Sequence, residues 1–232
     1  MGFGVIHYAF LADAVGIGIC ILLLLNRYRE QRNLLTLIFV GFLLSLTVQA
    51  SLYFVRGLWA ASAFEDILAF RFIQSNHIII AILLILFLLY PQIEQKEGTP
   101  EGDRLRILLL VLVIIGIFGM ILPFISEITW TFDDIYGLSH YNVTSVIPFT
   151  YQIILGIDAV YALIAAAFLV QMIRVETEPF YRTKAILLLL GWLIIVFAQF
   201  LLLSVQLSVI TPVISLLGMS MMAFSILRQP PS

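Results

Sequence analysis

Seven stretches of the chain are nearly unbroken runs of apolar residues, and the polar positions gather between them. The runs lie near 3–26, 34–58, 67–90, 106–126, 149–173, 185–205 and 208–227. Each has about the 20 residues that an α-helix needs to cross the hydrocarbon core of a bilayer. From Ile78 to Leu89 there is no polar side chain, whereas a membrane β-strand would alternate apolar and polar residues over about ten positions. The pattern predicts an all-α integral membrane fold: a seven-transmembrane-helix bundle over 1–228 as a single domain, with a short tail at 229–232. Pro91 and Pro179 read as loop punctuation. Pro212 falls in the first turn of span 7, where its missing N–H costs little. Gln206 and Leu207 form the centre of a tight turn between the last two spans, and the longest connection, about 127–148, is too short for a folded module.

Composition agrees with the pattern. Hydrophobic residues make up 62% of the 232 and charged residues 11%, against about 45–50% and 25% in a soluble domain. A water-soluble fold of this size cannot hide so much apolar surface, and a disordered chain would be poor in it. The formal charge of −2 supplies no broad electrostatic footprint for nucleic acid. The single cysteine, Cys20, excludes an intrachain disulfide and a cysteine-based metal cluster. Met1 to Phe10 lacks the basic segment of a cleavable signal, and Ile6 stands where a myristoylation motif needs Ser or Thr, so span 1 is expected to be retained.

Basic residues set the expected orientation, because they collect in cytoplasmic loops. Ten of the twelve lie in alternate connections: Arg27, Arg29 and Arg32, then Lys96, Arg104 and Arg106, then Arg174, Arg182 and Lys184, then Arg228. The other side has Arg56, with Arg71 inside span 3. This places the N-terminus outside and the C-terminus in the cytoplasm of a multi-pass protein of the cell membrane.

Several chemistries are excluded or unsupported. A retinal Schiff base needs a buried lysine, and Lys96 and Lys184 both fall at the cytoplasmic end. The histidines, His7, His77 and His140, form no H-x-x-x-H or H-E-x-x-H pair, so no metal site, cofactor or enzymatic activity is expected. Ala12 with Gly16, Ala14 with Gly18, and Gly116 with Gly119 read as small residues that let helices approach closely.

The polar residues within the spans are distributed on one side. With about 1.5 Å of rise per residue, His7, Asp13, Arg71, Gln74, His77, Gln152 and Asp158 fall in the outer half or near the middle, and Gln49 and Gln199, on spans that enter from the cytoplasm, reach the outer half too. The inner halves are almost purely apolar, which argues against a full-thickness ion pathway. Buried polar groups are expensive unless paired or functional. His7, Asp13, Gln49, Arg71, Gln74, His77, Tyr151, Asp158 and Gln199 are therefore the candidate ligand-binding residues of an outward-facing polar pocket. Arg71, Gln74 and His77 fall on one slowly drifting stripe, and Asp158 is the expected partner of Arg71, with Asp13 the alternative. The acidic, aromatic connection carrying Glu127, Trp130, Asp133, Asp134, Tyr136 and His140 is expected to be a solvated loop.

Phe70-Arg71-Phe72-Ile73-Gln74 running into Leu86-Phe87-Leu88-Leu89-Tyr90-Pro91, then Phe180-Tyr181-Arg182-Thr183-Lys184-Ala185 with Gly191-Trp192, then Ala223-Phe224-Ser225-Ile226-Leu227-Arg228, form a recognisable series. This arrangement resembles the N-terminal seven-helix transmembrane sensor region of prokaryotic histidine kinases. The chain departs from that pattern after Arg228, where Gln229-Pro230-Pro231-Ser232 stands in place of a transmitter domain. The resemblance implies a sensor or receptor-like module that takes a small-molecule or lipid ligand from the outer side and signals through spans 6 and 7 to a protein partner in the membrane or cytoplasm. The alternative is a non-catalytic subunit or assembly factor of a larger membrane complex, with a small-molecule or ion transporter the weakest of the three.

Overall fold

In a computed structural model of the protein, seven α-helices account for the seven apolar runs. Its described residues are 5–59, 63–133, 138–144, 150–201 and 210–228. The helices are α1 (Val5–Gln31), α2 (Leu34–Trp59), α3 (Ala63–Gln95), α4 (Pro100–Ile125), α5 (Thr150–Val175), α6 (Pro179–Leu201) and α7 (Thr211–Leu227). Six are long and apolar enough to span a membrane, and the protein is a multi-pass, membrane-embedded bundle. The exception is α7, whose 17 residues rise roughly 25 Å, short of the ~30 Å of a typical hydrocarbon core. The expected turn around Gln206 and Leu207 and the tail at 229–232 lie outside the described residues.

Several helices outrun their apolar cores, since a helix continues past the hydrocarbon wherever polar residues satisfy its ends. Thr99 caps α4, its Oγ1 accepting from Gly102 N at 3.2 Å, with Pro100 in the first turn. Pro91 corrects the expectation of a loop: it lies inside α3, which runs on to Gln95. There Gln92 Nε2 donates to Leu88 O at 3.2 Å, adding a side-chain bond in the turn that the proline interrupts. Pro179 opens α6, and Pro212 sits in the first turn of α7 as its ring geometry favours.

The connection after α4 is also more ordered than a loop. Glu127–Asp133 (β1) and Leu138–Thr144 (β2) pair antiparallel, with Glu127 opposite Thr144 and Asp133 opposite Leu138. β1 lies against α3 and β2 against α5.

Each helix packs on the next in sequence, α7 returns onto α1, and α3 also touches α5. The main core joins Phe39, Phe42 and Leu43 of α2 to Ile78, Leu84, Ile85 and Leu88 of α3, and these to Leu169, Trp192 and Met222. Small residues decide how closely helices approach. A Cβ on Gly191 would stand 2.6 Å from Gly218 O, and one on Gly218 would stand 2.6 Å from Gly191 O. The α6 and α7 backbones therefore touch reciprocally at a pair that the sequence pattern did not single out. Gly16 receives Leu216, Gly116 receives Ile82 and the Tyr161 hydroxyl, and Gly119 receives Ile157, whereas a Cβ on Gly18 would meet nothing.

Candidate functional site

Because neighbouring helices alternate in direction, the start of α1, end of α2, start of α3, end of α4 and start of α7 share one end of the bundle with the hairpin. The buried polar side chains His7, Asp13, Gln49, Asp66, Ser75, Asn76, Ser126, Thr211 and Ser215 all belong to it. The structure sorts them into three groups that the sequence had merged.

The first group surrounds a narrow cavity between α1, α2 and α7. Helical spacing builds its walls: Phe10 and Asp13 on α1; Leu46, Gln49, Ala50 and Tyr53 on α2; and Thr211, Ser215 and Met219 at every fourth position on α7. Phe10 and Tyr53 stack with ring centroids 4.4 Å apart. Asp13 is only 3% exposed, yet its Oδ1 has no hydrogen-bond partner, and neither has Thr211 Oγ1. A buried acceptor left in this state costs about 1–3 kcal/mol, more for a charged group. The start of α7, with no side-chain cap at Ile210, brings the positive end of a helix dipole towards the same cavity.

The second group ties α2 to α3. Asn76 Nδ2 donates to Ser45 O at 2.8 Å and to Gln49 Oε1 at 2.9 Å, while Gln49 Nε2 lies 2.5 Å from His77 Nε2. With its oxygen accepting from Asn76, the Gln49 amide presents its NH2 to His77 Nε2. Gln49 thus belongs both to the cavity wall and to the network that fixes it. Nearby, Arg56 Nε and Nη2 reach Asp66 Oδ1 and Oδ2 at 2.5 and 3.3 Å.

The third group joins α3 to α4. Arg71 Nη2 donates to Ser126 O at 3.0 Å, and Ser75 Oγ lies 2.8 Å from Met120 O and 3.0 Å from Arg71 O. Arg71 Nε and Asp158 Oδ1 are both without partners. The expected Arg71–Asp158 pair is therefore absent, and Arg71 does not reach Asp13 either. The helical repeat explains this. Six residues on an α-helix turn about 120° from the starting direction, so Arg71 faces α4 while His77 faces α2. The stripe diverges too far to serve one pocket.

Of the nine expected binding residues, the structure brings Asp13 and Gln49 to the cavity and places His77 directly behind Gln49. His7 is buried six residues before Asp13 and outside the lining, and Gln74 is half-buried and joins none of the groups. The side chains of Tyr151 and Gln199 lie outside the described residues. Asn76, Thr211 and Ser215 were missed, because small polar residues inside apolar helices read as packing. For Thr211 and Ser215 the four-residue repeat ending at Met219 is the signal that would have found them. Among the described residues, no three His, Cys, Asp or Glu side chains are placed to hold a metal ion. No known family profile matches the chain, and no curated protein matches it.

Proposed function

We propose that the protein is a receptor-like module of the cell membrane, with the hairpin end outside and the basic end in the cytoplasm, and that the cavity between α1, α2 and α7 receives a small cationic head, an amine or ammonium group. One observation carries the reading: Asp13 holds a buried acceptor without a partner beside the stacked rings of Phe10 and Tyr53. A carboxylate and aromatic side chains lining one space are the chemistry that suits an ammonium ion. Thr211 and Gln49 supply polar atoms for orientation. The alternating basic loops support the orientation, and the resemblance to kinase sensor regions supports the signalling role.

Transmission follows from the placement of α7. It forms one wall of the cavity through Thr211, Ser215 and Met219, and it is locked to α6 where Gly191 meets Gly218. A ligand that shifts α7 also shifts α6, and both helices lead to the basic end, where a protein partner would read the change.

The test uses purified protein in detergent titrated with ethylammonium and tetramethylammonium chloride, with sodium chloride as the ionic-strength control. A bound cation should raise the unfolding temperature in a concentration-dependent way. Asp13→Asn should be at least as stable as the parent without ligand and should lose the response. Equal responses from parent and Asp13→Asn, or no response from the parent, would overturn the reading.

A further inference from the structure

At the opposite end, three cations from three helices converge on one corner. Phe180 and Lys184 are four residues apart in the first turns of α6 and so share a face. Lys184 Nζ lies 5.1 Å from the centre of the Phe180 ring, and the guanidinium carbon of Arg228, just past α7, lies 5.2 Å from the same centre. The two charges are therefore held within roughly one Debye length of each other, ~10 Å at 0.1 M salt. Arg27 comes in from α1, its guanidinium donating to Ile226 O. Ser225 Oγ donates to Lys184 O at 3.0 Å and fixes α6 against α7 at this level. The corner is preorganised by packing and does not depend on the cations finding one another.

Its electrostatics are unbalanced. Among the described residues no carboxylate forms an ion pair with Lys184 or Arg228. In the α3–α4 connection at this end, by contrast, Lys96 pairs with Glu101 at 2.6 Å and Arg106 with Glu97 at 2.8 Å. Like charges gathered on a fixed frame repel unless an anion lies between them. Lys184 and Arg228 stand where the apolar lengths of α6 and α7 end on this side, the kind of position at which cations meet lipid headgroups.

We propose that Phe180, Lys184, Arg228 and Arg27 form a binding site for a phosphate group, supplied by the headgroup of an anionic lipid. The ring holds the two side chains in place, and the phosphate oxygens accept from the lysine and the guanidinium groups.

The experiment compares protein reconstituted in phosphatidylcholine with protein in an equal mixture of phosphatidylcholine and phosphatidylglycerol, reading thermal unfolding and the lipid retained after mild detergent extraction. Phosphatidylglycerol should stabilise the parent and be retained in preference, with retention falling as salt is raised. Lys184→Gln and Arg228→Gln should each weaken retention about fivefold, the factor equivalent to ~1 kcal/mol per interfacial cation. Lys184→Arg and Arg228→Lys should restore it, which separates a lost charge from a damaged fold. Lys96→Gln and Arg106→Gln should leave it unchanged. Inorganic phosphate added to the phosphatidylcholine sample distinguishes the source: stabilisation equal to that by phosphatidylglycerol would assign the corner to soluble phosphate and overturn the lipid assignment. Unaltered phosphatidylglycerol retention in the Lys184→Gln/Arg228→Gln double variant, or equal losses in the Lys96 and Arg106 controls, would overturn the site altogether.

Discussion

Arg56, near the end of α2, grips Asp66, near the start of α3, with two nitrogens on two oxygens, and the carboxylate is 1% exposed. The pair closes the α2–α3 connection at the end of the bundle that carries the cavity. Removing one member of a buried pair strands the other, so Asp66→Ala should destabilise the detergent-solubilised protein by about 3 kcal/mol or more. Replacing both with apolar residues of similar size, Arg56→Met with Asp66→Leu, should recover most of that loss. Thermal unfolding of the single and double variants checks this, and an Asp66→Ala variant as stable as the parent would contradict it.

Arg71 and Asp158 should behave as independent residues. Arg71 bonds to Ser126 O and Asp158 Oδ1 has no partner, so the two substitutions share no interaction to lose. In a double-mutant cycle, Arg71→Ala and Asp158→Asn should add within about 0.5 kcal/mol. Asp158→Asn alone should be neutral or stabilising, because it replaces a half-buried carboxyl group whose buried Oδ1 has no hydrogen-bond partner. A coupling energy above 1 kcal/mol would show that the two meet after all.

Glycine substitutions should divide sharply by position. Gly191→Ala and Gly218→Ala each drive a methyl group to 2.6 Å from a backbone carbonyl oxygen, and a backbone cannot swing aside as a side chain can. Each should cost about 1–3 kcal/mol and loosen α6 from α7. Gly18→Ala, with open space around the new carbon, should be neutral or gain up to about 1 kcal/mol from helix propensity. Unfolding temperatures of the three variants, measured side by side, provide the comparison.

The proposed orientation is open to a direct measurement. Reporters fused after Arg228 and after Lys96 should report the cytoplasm, and one inserted near Asp134 should report the outside, as the ten-to-two division of basic residues requires. A reversed signal at any of the three would break the alternation on which the assignment rests.

How much the sequence revealed depended on the physics of each feature. The seven helices were legible because burying a backbone in lipid allows almost no alternative to helix, and run length reports it directly. Pro91 misled because a proline is read as a stop, while α3 runs through it to Gln95, with Gln92 bonded back to Leu88 O in the same turn. The hairpin at Glu127–Asp133 was read as a loop, since one short alternating ribbon is faint beside seven apolar runs. At the polar end, residue types were legible and partners were not. A stripe such as Arg71, Gln74 and His77 fixes spacing along one helix but not which neighbour each turn faces, and so Arg71 went to Ser126 and His77 to Gln49. Small hydroxyl residues were overlooked because Ser and Thr in apolar helices mostly pack.

Beyond Ser45, Ser75 and Ser215 towards the basic end, the interior is filled by Ile17, Leu24, Phe39, Leu84, Leu88, Leu169 and Met222. The ring donors within that layer, Tyr161 and Trp192, are turned onto the carbonyls of Leu112 and Ala162. Such a layer is an electrical insulator, and a transmembrane voltage falls mainly across it. A charge at Asp13 then rests close to the potential of the side that the hairpin faces. A cation of the kind proposed above would cross little of the field to reach it, and its binding would change by far less than the ~2.3 kcal/mol per 100 mV that a full crossing entails. On the proposed reading, occupancy of the cavity would follow concentration on that side and stay nearly constant as the voltage across the membrane changes.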